Sequence, residues 1–214
     1  MVETLDRTTV AQALERIATD LPAQAERLRE LDAAIGDGDL GITITLGLGA
    51  VLEGLPALQE QDMANLLQRS GMAFNRKAAS TFGALYATMM MRAAREVRGL
   101  QEIGLADLAR MADAAAQGVM ERGKSQPGDK TLLDALVPAA QALARAAENG
   151  EPLATGVRAA AQAAAQGAQA TIEMRSNRGR SSWFADRTVG AQDPGATAIQ
   201  FMFESLADFI ESLG

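Results

Sequence analysis

Three aspartates carry the first chemistry legible in this chain. Asp32, Asp37 and Asp39 fall within the eight-residue stretch 32–39, in the string Asp32-Ala-Ala-Ile-Gly-Asp37-Gly-Asp39-Leu-Gly41. Glycines at 36, 38 and 41 let the backbone take φ > 0 and fold the carboxylates toward one point. Carboxylates so placed repel unless a cation neutralises them, and hard oxygen ligands suit Mg²⁺ or Ca²⁺. An EF-hand does not fit, because the run from Gly41 to Leu48 offers no bidentate Glu. Mg²⁺ commonly shares its shell with phosphate oxygens. A helix expected from Gly41, with Thr43 and Thr45 at its start, would offer its amides to such phosphates. The same string also reads as an Asp-Gly turn with a helix cap, and spacing alone leaves both readings open.

Two further stretches hold candidate residues. Gly123-Lys-Ser-Gln-Pro-Gly-Asp129-Lys-Thr-Leu-Leu-Asp134 joins two helices, with Asp129 or Thr131 as the expected cap. The P-loop spacing and its preceding strand are absent, so on its own this is a helix connection. The segment Ser176 to Pro194, SNRGRSSWFADRTVGAQDP, is long, mostly polar or glycine, and holds the only Trp. Arg175, Arg178, Arg180 and Arg187 could grip phosphates with guanidinium forks, or simply keep a surface solvated. Long ordered segments in compact domains tend to be functional. A lid or a partner contact, with Trp183 and Phe184 exposed, is the expectation here.

What is missing narrows the rest. The 214 residues include no cysteine and no histidine. Disulfides, zinc–thiolate sites and iron–sulfur clusters are excluded, as are Ser-His-Asp and Cys-His catalysis within this polypeptide. A net charge of −7 and a pI of about 4.7 argue against a nucleic-acid protein, whose footprint is a basic patch. No apolar run is read as reaching the ~18 residues of a membrane span, and MVETLDRTTV does not read as a signal peptide. The cytoplasm is the simplest expected compartment. The length fits one domain over 1–214, able to bury a core without staples.

The elements that must position these residues read as helices. The chain has 44 alanines against one Trp, one Tyr and six Phe. Alanine is the best helix former, and small side chains let helices approach closely, so the expected class is all-α. Thr8 or Thr9 is the expected cap of a first helix with Val10, Leu14 and Ile17 on its apolar face. Asp20-Leu21-Pro22 reads as a restart running to about Ala34. Further helices are expected from Gly41 to Glu53, after Asp62, from Thr81 to Arg98, and from Leu105 to Arg122, ended by Gly123. Others should run from Thr131 to Glu148, with Pro138 as a kink, from Leu153 to Met174, and after Pro194-Gly195. No strand pattern and no internal repeat compete with this reading.

Taken together and in order, IGDGD with its upstream Asp, then GKSQPGDKTLLDALVPA, then GRSSWFADRTVGAQDPGAT, resemble the nucleotide-binding L subunit of dihydroxyacetone kinases. The resemblance covers roughly residues 8 to 212. It implies an antiparallel barrel of about eight amphipathic helices with a nucleotide, ADP or ATP, at one end. Two Mg²⁺ ions would be held by the positions matching Asp32, Asp37 and Asp39. Leu40, Gly41, Ile42 and Thr43 match a turn on the phosphates. Gly123 and Leu132 match positions lining base and sugar, Arg180 a nucleotide-contacting arginine, and Asp193, Pro194 and Gly195 a backbone segment at the nucleotide. A further turn, usually Gly-Gly-Ala-Ser-Gly in the family, aligns with Ala79, Ser80, Thr81, Phe82 and Gly83. There Ser80 or Thr81 could supply a hydroxyl, and Phe82 is hard to place near a phosphate. Leu40 and Ala191 stand where histidine is usual.

The resemblance also implies an activity. A partner subunit would hold a small ketose covalently on its own histidine, and this chain would present the nucleotide for Mg²⁺-dependent phosphoryl transfer, with Arg180 and Arg178 as charge stabilisers. The phosphoryl source is ATP or a phosphotransferase-system protein, and a homo-oligomer is compatible with the motifs. Three rivals stand beside this reading: a kinase subunit for another ketose such as a tetrulose, a non-catalytic nucleotide-sensing regulator, and a bundle with an apolar ligand in its barrel.

Overall fold

Among the described residues, four helices begin where a side chain takes up an orphan backbone amide. Asp6 accepts from the Thr9 amide at 2.8 Å, Asp62 from Asn65 at 2.7 Å, Ser80 from Gly83 at 3.0 Å and Asp193 from Ala196 at 2.7 Å. Asp62 is the cap the sequence leads one to expect. At the first helix the cap is Asp6 rather than Thr8 or Thr9, because its carboxylate takes both the amide and the hydroxyl of Thr9. At 124 it is Lys124, one residue past Gly123, that turns left-handed (φ 50°) to end a helix.

A computed structural model describes residues 2–58, 60–178 and 188–214. Helix α1 (Arg7–Asp20) passes through a 3₁₀ turn at Leu21–Gln24 into α2 (Ala25–Ile35). Then come α3 (Leu40–Gly54), with a 3₁₀ turn at Leu55–Leu58, α4 (Met63–Lys77), α5 (Thr81–Glu96) and α6 (Leu105–Gly123). After these follow α7 (Leu133–Glu148), α8 (Leu153–Ala170), which ends in a 3₁₀ turn at Thr171–Glu173, and α9 (Pro194–Ser212). Two strands too short to show alternation, β1 (Leu5–Asp6) and β2 (Glu102–Ile103), pair antiparallel ahead of α1 and α6.

Consecutive helices from α3 to α9 pack side by side, and α1 and α2 close the ring between α9 and α3. The short connections from α3 to α8 make those neighbours antiparallel. The all-α barrel expected from sequence is therefore the observed architecture. Alanine explains its tightness. Ala135, Ala139, Ala160, Ala164, Ala168, Ala198 and Ala207 are all fully buried, so adjacent backbones meet with little side chain between them. Leu28, Ile44, Leu66, Phe74, Leu133 and Val157 fill the remaining core.

Pro138 sits inside α7 and has no N–H for the Asp134 carbonyl one turn earlier. Gly167 of α8 lies against that same carbonyl: a Cβ there would stand 2.0 Å from it. A departure from the sequence reading concerns α3 and its 3₁₀ extension. The 19-residue stretch Leu40–Leu58 is long and apolar enough, by length and composition, to cross a membrane (mean hydropathy 1.5). Its inner face, with Ile44, Leu48 and Val51, is packed into the core cluster of the ring.

Because helices alternate in direction, the α2–α3, α4–α5, α6–α7 and α8–α9 connections gather at one end. All three stretches singled out from sequence belong to these connections.

Candidate functional site

A cavity of about 320 Å³ opens at that end, lined from all four connections. Leu40, Thr81 and Pro194, the first residues of α3, α5 and α9, line it, as does Leu132, just before α7. Four helix N-termini thus face one space. Each carries partial positive charge, an arrangement that favours an anion.

The three aspartates stand at one side of this cavity. A carboxylate oxygen from each of Asp32, Asp37 and Asp39 lies within 4.8 Å of the others. Local geometry explains the convergence. Asp32 is in the last turn of α2 and its carboxylate accepts the Leu40 amide at 3.1 Å, tying the end of α2 to the start of α3. Between them Gly38 is left-handed (φ 77°), a conformation that costs glycine little, and this reverses the chain so that Asp37 and Asp39 come back beside Asp32. Asp37 and Asp39 are exposed and Asp32 half-buried. This is an all-oxygen, three-carboxylate donor set with its oxygens spaced for hard divalent cations, so the residues present fit Mg²⁺.

The opposite wall comes from the α6–α7 and α8–α9 connections. The Thr131 hydroxyl accepts the amide of Leu133, the first residue of α7, at 3.2 Å, and Asp134, inside the helix, reaches back to accept the loop amides of Gly128 at 2.5 Å and Thr131 at 2.7 Å. Asp129 instead accepts from the Gln126 amide at 3.0 Å and from Arg178 Nε at 3.2 Å. Burial pushes the Asp193 carboxyl up to about 7. The Ala196 amide and the Lys130 ammonium pull it back, while the negative charges of Asp134 and Asp32 push it further up. Burial also lowers the Lys130 ammonium, opposed by the charge of Asp193.

Most positions expected from sequence meet in this cavity, and some do not. Asp32, Asp37, Asp39 and Leu40 line it, as do Ser80, Thr81, Phe82, Gly123, Leu132, Asp193, Pro194 and Gly195. Gly41, Ile42 and Thr43 are not part of the lining. Thr43 is buried inside α3 and Ile42 points outward at 59% exposure. Phe82 is turned inward: its ring stacks 6.2 Å from Phe74, which in turn lies 4.4 Å from Tyr86. Phe82 thus lines the cavity at the start of α5 while its ring packs into the core. Arg180, Trp183, Phe184 and Arg187 lie outside the described residues, and so does the central part of the expected lid.

Sequence reasoning missed Leu85, Val119, Ser125, Lys130 and Thr131, which also line the cavity. Leu85 and Val119 read as ordinary apolar positions of α5 and α6. Lys130 follows Asp129 in a string read as a plain connection, and nothing local marks it as buried.

The family model described as DAK2 domain matches residues 34–208. The chain is 36% identical over 203 residues to the ADP-binding subunit DhaL of the PEP-dependent dihydroxyacetone kinase of Escherichia coli, covering 95% of this chain and 97% of that one. It is 32% identical over 203 residues to the D-erythrulose kinase of Mycolicibacterium smegmatis, covering 94% of this chain and 35% of that longer protein. The dihydroxyacetone kinase of C. freundii, solved in complex with AMP-PNP and Mg²⁺, superposes with a TM-score of 0.72 at 24% identity, over 97% of this chain and 35% of the solved one.

Proposed function

The chain belongs to the DAK2 domain family, and from that premise we propose that it is the nucleotide-binding subunit of a dihydroxyacetone-type kinase. It is a phosphotransferase component that presents ADP or ATP to a small ketose held by a partner subunit. The observation that carries this is the convergence of three carboxylates and four helix N-termini on one cavity. Carboxylates alone would suit a cation and helix N-termini alone an anion. A metal–phosphate ligand satisfies both.

In this reading Asp32, Asp37 and Asp39 hold two Mg²⁺ ions. When bound, these supply positive charge that offsets the charge of the phosphates. The positive ends of α3, α5, α7 and α9 attract the phosphate oxygens. Ser80 already uses its hydroxyl as a cap, so Thr81 is the hydroxyl of that turn open to a ligand. Arg178, whose side chain is half exposed beside Asp129, adds a cation at the mouth, and Arg180 is proposed to do the same. Leu85, Val119, Gly123 and Leu132 form the less polar part of the wall, suited to a base and sugar. Phosphoryl transfer needs positioning and charge neutralisation more than an internal base, so a chain without histidine suffices.

The acceptor and the phosphoryl source complete the proposal. Dihydroxyacetone is the first acceptor, bound by a ketose-binding subunit, and a phosphotransferase-system protein is the source suggested by the PEP-dependent relative. A tetrulose is the second reading, favoured by the erythrulose kinases among the relatives. A cytoplasmic setting belongs to the same proposal. The test is to combine the purified chain with its ketose-binding partner, supply either ATP or a phosphoenolpyruvate phosphotransferase system, and follow phosphorylation of dihydroxyacetone and erythrulose. Turnover that needs this chain, Mg²⁺ and one of the two sources is expected. Nucleotide binding without turnover on any ketose would make it a sensor instead.

A further inference from the structure

Lys130 has no role in the chemistry above, yet its side chain is 1% exposed. A buried ammonium is costly unless its N–H groups are met. Here three donors meet three backbone carbonyls, those of Met174 at 3.1 Å, Ala191 at 2.6 Å and Thr188. All three acceptors lie far along the chain, on the two stretches that flank 179–187.

Neighbouring contacts fasten the same two stretches. The Asp129 carbonyl accepts the Asn177 amide at 3.1 Å, and its carboxylate accepts Arg178 Nε. The Ser176 amide donates to the Thr188 hydroxyl at 3.0 Å, joining one stretch to the other. Lys130 itself is left-handed (φ 60°), which disfavours a side-chain-bearing residue and persists only where the surroundings hold it. An apolar side chain of the same length would fill this space with less desolvation. It could not hold three carbonyls in a fixed arrangement. Both stretches lead straight to the cavity. The first carries Arg178 to its wall, and the second runs into Asp193, Pro194 and Gly195.

We infer that Lys130 is a positioning residue of the nucleotide site: through the carbonyls of Met174, Thr188 and Ala191 it sets Arg178 and the Asp193–Gly195 step against the cavity. This rests on the nucleotide reading proposed above. With its three N–H groups on backbone carbonyls, the Lys130 ammonium acts through those two stretches rather than by donating to the ligand.

The test is calorimetry of ADP with Mg²⁺ on the full chain. Wild type must bind first; if it does not, the nucleotide reading fails and this inference with it. Given binding, Lys130→Met is expected to raise the dissociation constant about tenfold. Val157→Ala, a fully buried change toward the other end of α8, lowers the melting temperature without moving the affinity. A double-mutant cycle separates positioning from general loosening. Arg178→Ala should weaken binding severalfold in wild type and less than twofold in the Lys130→Met background. Unchanged affinity in Lys130→Met, or fully independent effects of the two substitutions, overturns the inference. Should Lys130→Met not fold, Lys130→Gln, which keeps two N–H donors, enters the same cycle with the same expectations.

Discussion

The ammonium of Lys130 donates to the carbonyl of Ala191 over 2.6 Å, two residues before the buried carboxylate of Asp193. The Lys130 ammonium therefore braces the stretch that leads to Asp193 on the wall of the site.

A pH dependence of stability follows from Asp193. Its carboxyl is raised to about 7 from an ordinary 3.8. Between those values the folded chain holds a proton that the unfolded chain releases, so stability falls as pH rises through this window and levels off above it. The slope from one proton is at most roughly 1.4 kcal/mol per pH unit. Thermal melts of the nucleotide-free chain from pH 5 to 8 should decline, and Asp193→Asn, which keeps a capping side chain, should flatten the decline. Asp6, Glu26 and Glu211 are lowered instead, by hydrogen bonds from Thr9, Arg29 and Arg158 respectively. Their stabilisation is present above the ordinary carboxylate range and lost only as pH falls below it, outside this window.

The close pass of α8 over α7 makes Gly167 intolerant of a side chain. A Cβ would lie 2.0 Å from the Asp134 carbonyl, and backbone on both sides leaves little room to yield. Gly167→Ala should cost about 1–3 kcal/mol as overpacking, against the small gain that alanine brings at an open helical position. Denaturant unfolding measures it.

At the departed turn, restoring the serine that the family usually has at position 82 should harm the fold. Phe82 is 8% exposed and packs on Phe74. Phe82→Ser should lose about 3–5 kcal/mol from the aromatic cluster. A variant as stable as wild type would show that this ring is not part of the core.

Asp62 gives a milder check on the capping account. Its carboxylate takes the Asn65 amide at 2.7 Å at the start of α4, far from the cavity end. Asp62→Ala should cost about 1 kcal/mol without altering nucleotide affinity.

Much of this was legible because its causes are local. The Asp62 cap, the Pro22 restart and the Asp-Gly-Asp turn each follow from residues within one or two helical turns, and the alanine-rich faces announce helices that pack closely. What escaped is non-local or a matter of side-chain direction. Lys130 is buried by carbonyls 44 to 61 residues away, which no spacing rule reaches. Asp6 outcompeted Thr8 and Thr9 because a carboxylate can take an amide and a hydroxyl at once. Ile42 and Thr43 follow directly on the Asp-Gly-Asp turn but face outward and inward, because successive helical residues point about 100° apart. The pairing of Leu5–Asp6 with Glu102–Ile103 is too short to leave a pattern.

The central claim is that Asp32, Asp37 and Asp39 hold the metal that fixes the nucleotide. Calorimetry of ADP in the presence and absence of Mg²⁺, on wild type and Asp37→Ala, tests it most directly. The account predicts Mg²⁺-dependent binding by wild type and its loss in Asp37→Ala, with the melting temperature of the nucleotide-free variant unchanged or raised by relief of carboxylate repulsion. Equal ADP–Mg²⁺ affinity in the two proteins would contradict it.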